Sequence, residues 1–452
     1  MSSERSSFTG KIGFVLAAAG SAVGLGNIWR FPYLAAKYGG GMFLLVYILL
    51  SVTFGFSLMV AEVVIGRKTQ LSAIGAFRAL DKRFAFIGPL ASIVPIIILP
   101  YYSVIGGWVM KYISGFVMGE GHAMAQSNYF NDYIAKVGEP ILWFMLFVAV
   151  TAVVVFFGVE QGIEKVSKIM MPVLVVLILV ISIDTIVTMD GAWEGVIYYI
   201  KPDLSHFSLM TVVAAMGQLF YSMSLAMGIM ITFGSYMKKD INIEKSTHQI
   251  EIFDTGIAFL AGLMIIPAVF AFSGGDESAL GQGPGLMFVT LPKIFDTMPG
   301  GSLIGAAFFI MVFFAALTSA ISLMETVVSI VMDKLGLGRR LCCLIVFGGC
   351  LLLGLPSTLG YSMWKDVKIL GMQFLDLFDF ISNSVLMPIV ALCTCIFVGY
   401  VLKPKAIAEE VELSGTFRSK KLFSVMIRFI APICILLILL SSVLNAFGII
   451  KI

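Results

Sequence analysis

Charge is what this sequence has least of. Of its 452 residues only 13% are Asp, Glu, Lys or Arg, whereas a soluble domain carries about 25%. That excludes a water-facing globule of this size, and lipid must solvate much of the chain. Neither sign dominates, because the formal net charge is +3 and the basic residues are scattered. A nucleic-acid partner, which needs a concentrated basic face, is excluded with it. Histidine is scarce as well. His122, His206 and His248 lie in connecting regions and form no catalytic group with a serine or cysteine, so no enzyme is expected. Cys342, Cys343, Cys350, Cys393, Cys395 and Cys434 lie in or beside apolar runs. With no histidine cluster beside them they read as small buried hydrophobes, not as metal ligands. The stretch GGDESALGQGPG has no strand before it and no Gly-Lys-Ser/Thr after it. It is polar punctuation ahead of an extracellular hairpin, not a phosphate loop.

What the chain does have is hydrophobic length. Apolar residues make up 59% of it, and one crossing of the hydrocarbon layer takes about 20. Breaking at charged and Pro/Gly-rich stretches gives eleven segments, near 12–36, 41–66, 85–113, 140–158, 168–189, 209–236, 250–273, 302–332, 341–356, 370–400 and 424–448. The first follows MSSERSSFTGK with no small-residue cleavage site behind it, so it reads as a retained span. Several exceed a straight crossing, which calls for tilted or broken helices.

Loop charge orients them. Arg67, Lys68, Arg78, Lys82 and Arg83 follow the second segment, and Lys238, Lys239 and Lys245 follow the sixth. Lys334, Arg339 and Arg340 follow the eighth, and Lys403, Lys405, Arg418, Lys420 and Lys421 the tenth. Loops of the other parity are acidic or mixed. Under the positive-inside rule the N-terminus is cytoplasmic, and eleven spans leave the C-terminus outside.

Two segments resist being continuous helices. In AAAGSAVGLGNIWRFPY, Gly20, Gly24, Gly26 and Pro32 are poor helix interior. The glycines alone fit a small-residue packing face. Asn27 and Arg30 favour a mid-membrane break, because an amide and a cation deep in a span are costly unless they face a polar cavity. In MGQLFYSMSLAMGIMITFG, Gln218, Ser222 and Ser224 interrupt the sixth segment between Gly217 and Gly228. Serines in membrane helices usually bond back to their own backbone, so position gives this signal its weight. Segments one and six open the two halves of the chain, and paired broken helices in corresponding places mark a transporter built of inverted repeats.

Further polar groups sit in the eighth segment, FFAALTSAISLMET, where Thr318 and Ser319 are adjacent hydroxyls. With backbone carbonyls they offer the all-oxygen shell of a hard monovalent cation. Asp254 opens the run FDTGIAFLAGL. It reads as a cation ligand ahead of the alternative, an N-terminal helix cap.

The runs GSAVGLGNIWRFPY, YYSVIGGW, GQLFYSMSLAMG and FFAALTSAISLME closely resemble the neurotransmitter:sodium symporter family, in order, from about residue 5 to 448. The nearest likeness is to its bacterial branch of tryptophan/tyrosine and hydrophobic amino-acid transporters. The resemblance implies an all-α integral membrane protein of about eleven transmembrane helices. Helices 1–5 and 6–10 form two inverted repeats, helices 1 and 6 are broken, and one helix is extra. It divides the chain into a cytoplasmic segment 1–10, a first repeat 11–190, an extracellular loop 191–208, a second repeat 209–400, a cytoplasmic loop 401–423 and a last span 424–448.

Carried onto matching positions, the resemblance implies two sodium ions and no organic cofactor. The first ion is held by Ala22, Asn27, Ser222, Asp254 and the substrate carboxylate; the second by Gly20, Val23, Ala315, Thr318 and Ser319. The substrate implied, a neutral L-amino acid with a hydrophobic or aromatic side chain, meets Ala22, Gly24, Gly26, Tyr102, Tyr221 and Ser222. Its side chain lies among Val23, Leu25, Ile98, Tyr102, Tyr221, Ser224, Met227, Ser319 and Leu323. Amine-transporting relatives place an aspartate where this chain has Gly24, so here the substrate brings its own carboxylate. Asp254 stands where many relatives have asparagine, and Ala258 stands at a position tied to chloride; Asp254 thus supplies the missing charge and chloride is dispensable. Met227, in place of the more usual phenylalanine, leaves a pliable pocket.

The same likeness assigns an outer gate to Arg30 and Asp379 with Asp376 nearby, and an inner gate to Arg5, Asp333 and Tyr236 with Phe8. Read from residues alone, Arg5 is equally an interfacial cation reaching water. Gly162 and Pro172 form the hinge by which the fifth helix unwinds; from the residues alone they are as well a loop glycine and a helix kink. Two other readings stay open. Lys165 and Lys168 leave room for a proton-coupled permease, and nothing in the residues separates a transporter from a receptor that binds an amino acid without moving it. The setting implied is the cell membrane.

Overall fold

The fold is known from a computed structural model that describes residues 7–274 and 283–446. Among the described residues nine helices are long and apolar enough to cross a membrane: Gly41–Thr69, Lys82–Val117, Gly138–Phe156, Val159–Thr188, Ile243–Ser273, Gly301–Leu335, Arg339–Leu359, Phe374–Glu412 and Lys420–Asn445. A tenth crossing is the pair Lys11–Ala22 and Gly26–Lys37, bent by 54°. Leu209–Ser222 with Ile229–Ser235 completes the set in the sixth position. These are spans one to eleven in chain order, and the eleven apolar segments fall on them one for one.

The chain is all-α, with spans one to five and six to ten as inverted repeats and the eleventh packed on the tenth. Two connections carry helices of their own. Ala192–Ile200 precedes the sixth span, and the stretch Phe374–Glu412 breaks at Lys403, whose φ is 66°, so that Lys403–Glu412 runs on as a separate helix beyond the apolar part of the tenth span. After the glycine-rich stretch, most of which lies outside the described residues, Leu286–Thr290 and Leu291–Thr297 form a short helical hairpin arm.

Backbone conformation explains both breaks. Span one stops at Ala22 because Val23 turns extended (φ −74°, ψ 102°), and the helix resumes at Gly26 with a widened turn, Gly26–Arg30, directly ahead of Pro32, which has no N–H to give to the ladder. In span six the interruption comes from left-handed residues: Ser224 (φ 53°), Ala226 (φ 61°) and Gly228 (φ 74°). The two interruptions lie against each other, spans seven and eight pack on them, and span three reaches them through Ile98 and Tyr102.

Ala226 is the strained member of this stretch. A left-handed residue with a Cβ costs about 1–2 kcal/mol, and its N–H is held by the Glu62 carboxylate at 2.7 Å. Ala226→Val, with a branched Cβ in a buried site, is expected to lower stability by about 2 kcal/mol or more, while Ala226→Gly is tolerated. Thermal unfolding in detergent checks this; equal midpoints for both variants would mean that the stretch carries no strain.

Candidate functional site

The interrupted stretches enclose a central chamber lined by Ser21, Ala22, Gly24, Leu25, Gly26, Asn27, Ile98, Tyr102, Tyr221, Ser222, Ser224, Met227, Ile229, Ser319 and Leu323. All the expected substrate contacts are there except Val23, whose carbonyl instead accepts from Ser319 at 3.2 Å. Ser21 and Ile229 were not expected. The open volume is small, about 30 Å³, room for one or two waters. An occupant must push side chains apart, and thioether-bearing Met227 is the softest wall.

Short bonds tie the breaks together. Ser224 donates to the Ser21 carbonyl (2.9 Å), and Gln218 donates to the Gly26 carbonyl (3.0 Å). The Leu25 N–H reaches the Tyr102 oxygen at 3.3 Å, so backbone donors and a phenol converge where an anionic group would lie. A Cβ on Gly24 would sit 2.8 Å from the Ser319 hydroxyl and 3.1 Å from the Tyr102 oxygen; one on Gly26 would sit 2.4 Å from the Tyr221 ring. Glycine keeps this corner open.

On one side of the chamber Asn27, Ser222 and Asp254 meet. Asp254 is fully buried. It accepts from Ser222 (2.7 Å) and Asn27 (2.8 Å) on one oxygen and from Tyr47 (3.2 Å) on the other. Every one of these donors is neutral, and Asp254 joins no ion pair among the described residues. Asn27 is fixed in turn, its amide oxygen accepting from the Gly24 N–H at 3.1 Å. Ala22 lines the same chamber.

On the other side, spans one and eight meet through the hydroxyl pair. Ser319 lies within hydrogen-bond reach of the carbonyls of Gly20 (3.4 Å), Ser21 (3.1 Å) and Val23 (3.2 Å). Thr318 bonds the carbonyls of Phe314 (2.9 Å) and Ala315 (3.2 Å). Its Cβ is 3.2 Å from where a Cβ on Gly20 would be. Gly20, Val23, Ala315, Thr318 and Ser319 are thus gathered at one spot. The polar side-chain atoms it gathers are hydroxyl oxygens, and among the described residues no group of three His, Cys, Asp or Glu could hold a metal ion. Hard oxygen donors without a carboxylate suit a monovalent cation better than a divalent one.

Beyond the chamber lies a vestibule of about 550 Å³, lined by Arg30, Tyr221, Asp376 and Asp379 among others. Arg30 and Asp379 both face it without pairing: the guanidinium sits 5.5 Å from the Tyr221 ring centre, while Asp379 accepts from Tyr101 (3.1 Å) and Asn383 (2.6 Å). At the opposite end Tyr236 donates to Glu325 (2.7 Å) and packs edge-on against Phe8. Asp333 accepts from the Ser72 N–H at 2.7 Å. Arg5 lies outside the described residues. Gly162 sits in a widened turn, Val159–Glu164, that opens span five, where a Cβ would strike the Val154 carbonyl at 2.1 Å; Pro172 lies one helical stretch further on.

Several participants went unread in the sequence. Tyr47 completes the shell of Asp254. Glu62 holds the span-six break. Arg339 grips Glu325 with two nitrogens, and Glu164 takes both the N–H (2.9 Å) and the hydroxyl of Thr9. For Glu62 and Glu325 a signal existed, since each is a carboxylate inside an apolar run.

A bundle of inverted repeats whose two interrupted helices surround a buried, oxygen-lined site defines a secondary transporter. The profile of the Sodium:neurotransmitter symporter family matches residues 5–120 and 122–449. YhdH, a sodium-dependent transporter of Bacillus subtilis, is 35% identical over 445 residues, covering 96% of both chains. A sodium-dependent transporter of Haemophilus influenzae is 33% identical over 457 residues, covering 97% of this chain and 98% of its own. The crystal structure of MhsT in complex with L-phenylalanine superposes with a TM-score of 0.88 at 37% identity, over 97% of this chain and 100% of that one. This chain belongs to the sodium:neurotransmitter symporter family and is a sodium-dependent membrane transporter.

Proposed function

We propose that the protein imports neutral L-amino acids with hydrophobic or aromatic side chains, driven by two sodium ions and without chloride, by alternating access across the cell membrane. The observation that carries this reading is Asp254: a fully buried carboxylate with three neutral donors and no cationic partner among the described residues. Such a group is costly in a membrane unless a cation joins it. Sodium there, touching the substrate carboxylate held by Leu25, Gly26 and Tyr102, couples the two ligands directly, since each raises the affinity of the other by the same factor. The Gly20, Val23, Ala315, Thr318 and Ser319 cluster takes the second ion. Arg30 and Asp379, now apart across the vestibule, close over the bound substrate. Release to the cytoplasm follows when the inner gate assigned to Tyr236, Asp333 and Arg5 opens and span five unwinds between Gly162 and Pro172. The apolar lining and the phenylalanine bound to MhsT support the substrate class.

Uptake of labelled phenylalanine, leucine and tryptophan into proteoliposomes tests the reading. Accumulation is expected with an inward sodium gradient, to persist in gluconate, and to vanish with choline. A pH gradient that sufficed without sodium would replace the reading with a proton-coupled permease, and binding without accumulation would replace it with a receptor. Gly24→Asp offers an independent check. Its carboxylate would occupy the place of the substrate's own and crowd Ser319 and Tyr102, so amino-acid uptake is expected to fall about tenfold, the equivalent of 1.4 kcal/mol. Undiminished uptake would remove the substrate carboxylate from this corner.

A further inference from the structure

Away from the transport path, spans four and nine leave an apolar groove of about 320 Å³, walled by Ala152, Val153 and Phe156 on one side and Cys343, Leu344 and Phe347 on the other. Val153 and Leu344 are 57% and 61% exposed, so none of the described residues covers it. We propose that this groove holds one anionic phospholipid, an acyl chain lying between the spans and the phosphodiester resting on Arg340.

Charge identifies the occupant. Burying a lipid tail against protein gains little in a bilayer, because the surrounding tails are just as apolar. Selective retention therefore needs a headgroup contact. Arg340 stands at the mouth of the groove, its guanidinium folded back to 5.8 Å from the Phe156 ring centre, and it makes no hydrogen bond or ion pair among the described residues. Its neighbour Arg339 is already committed, to Glu325 and to the Val155 carbonyl at 2.8 Å. A planar guanidinium with free donors, at the interfacial end of an apolar groove, fits a phosphodiester better than a zwitterionic headgroup whose choline would meet like charge. Loop charge places this end in the cytoplasmic leaflet. The binding itself does not depend on that orientation or on the transported substrate.

The occupant has a structural consequence. Arg339 ties span nine to span four, and through Glu325 to Tyr236 of span six. A lipid that fixes Arg340 steadies the residue next to that link.

Native mass spectrometry of the full-length protein in detergent, titrated with dioleoyl phosphatidylglycerol or dioleoyl phosphatidylcholine, tests the proposal. One phosphatidylglycerol is expected to be retained at least about tenfold more tightly than phosphatidylcholine, whose tails are identical. Arg340→Gln should erase the preference, Arg340→Lys should keep part of it, and Ala152→Trp should displace both lipids by filling the groove. Leu344→Trp, from the opposite wall, serves should Ala152→Trp not fold. Unchanged phosphatidylglycerol retention in Arg340→Gln, or equal affinity for the two lipids, overturns the site. Competition by soluble glycerol phosphate as strong as that of the lipid would likewise overturn it, since the groove would then contribute nothing.

Discussion

Asp254→Asn is expected to raise the sodium concentration for half-maximal uptake by about a hundredfold or more. The substitution preserves shape and leaves a carbonyl oxygen to accept from Ser222 and Asn27, which now lie 2.7 and 2.8 Å from the carboxylate. It removes only the charge. Taking away one member of a buried ion pair costs about 3–5 kcal/mol, and each 1.4 kcal/mol is tenfold in affinity, so two to three orders of magnitude follow. Burial decides the size of the effect: Asp254 is enclosed, and little solvent screening softens the loss. The chloride reading adds a second readout. If Asp254 supplies the charge that other carriers draw from chloride, the asparagine variant should recover part of its uptake when chloride replaces gluconate, whereas the wild type should not distinguish the two anions. Sodium titrations of uptake measure both. A half-saturating concentration unmoved by the substitution would take the ion away from this carboxylate.

How far the sequence could be read depended on which forces leave local traces. The spans were legible because hydrophobic length and loop charge are one-dimensional signals. The break in span one was legible because three glycines, an amide, an arginine and a proline fall within a few residues of each other. In span six the helix is interrupted by Ser224 and Ala226 in left-handed conformations, and neither residue type announces that. Its position relative to span one supplied the inference instead. Thr318 and Ser319 stood out as hydroxyls in an apolar run, but the carbonyls that Ser319 faces on span one are contributed by backbone alone, which no side chain can advertise. Tyr47 was invisible for a different reason. An aromatic in an apolar segment is ordinary, and only the packing of span two on span seven turns its hydroxyl toward Asp254. The outer gate shows the limit most clearly: Arg30 and Asp379 face one vestibule, yet their present partners are Tyr221 for one and Tyr101 and Asn383 for the other. A chain that alternates between conformations encodes both sets of partners in one sequence, with states only a few kcal/mol apart.

Removing both hydroxyls of span eight, Thr318→Ala with Ser319→Ala, is expected to reduce sodium-driven uptake at least about a hundredfold. A hydrogen bond or ligand contact to a charged group contributes about 1.5–3 kcal/mol, so two lost oxygens amount to two or more powers of ten, and each single variant to about one. Ser319 also ties the carbonyls of Ser21 and Val23 to span eight, so a loosened break in span one is a second route by which its loss lowers uptake, distinct from removing an ion ligand. The size of the coupling factor, which reciprocity makes the same for both ligands whatever the cause, separates the two when it is set against the sodium-free affinity. If the hydroxyls hold sodium, the factor by which sodium tightens amino-acid binding and the factor by which the amino acid tightens sodium binding must shrink together and equally. Simple loosening would weaken amino-acid affinity even without sodium and lower the thermal midpoint. Equilibrium binding of labelled phenylalanine across a sodium series, at matched unfolding midpoints, reads both factors. Thr318→Ser, which keeps the oxygen and drops only a methyl group, should retain most of the coupling. A double-alanine protein with its coupling factor intact would place the second ion somewhere other than between spans one and eight.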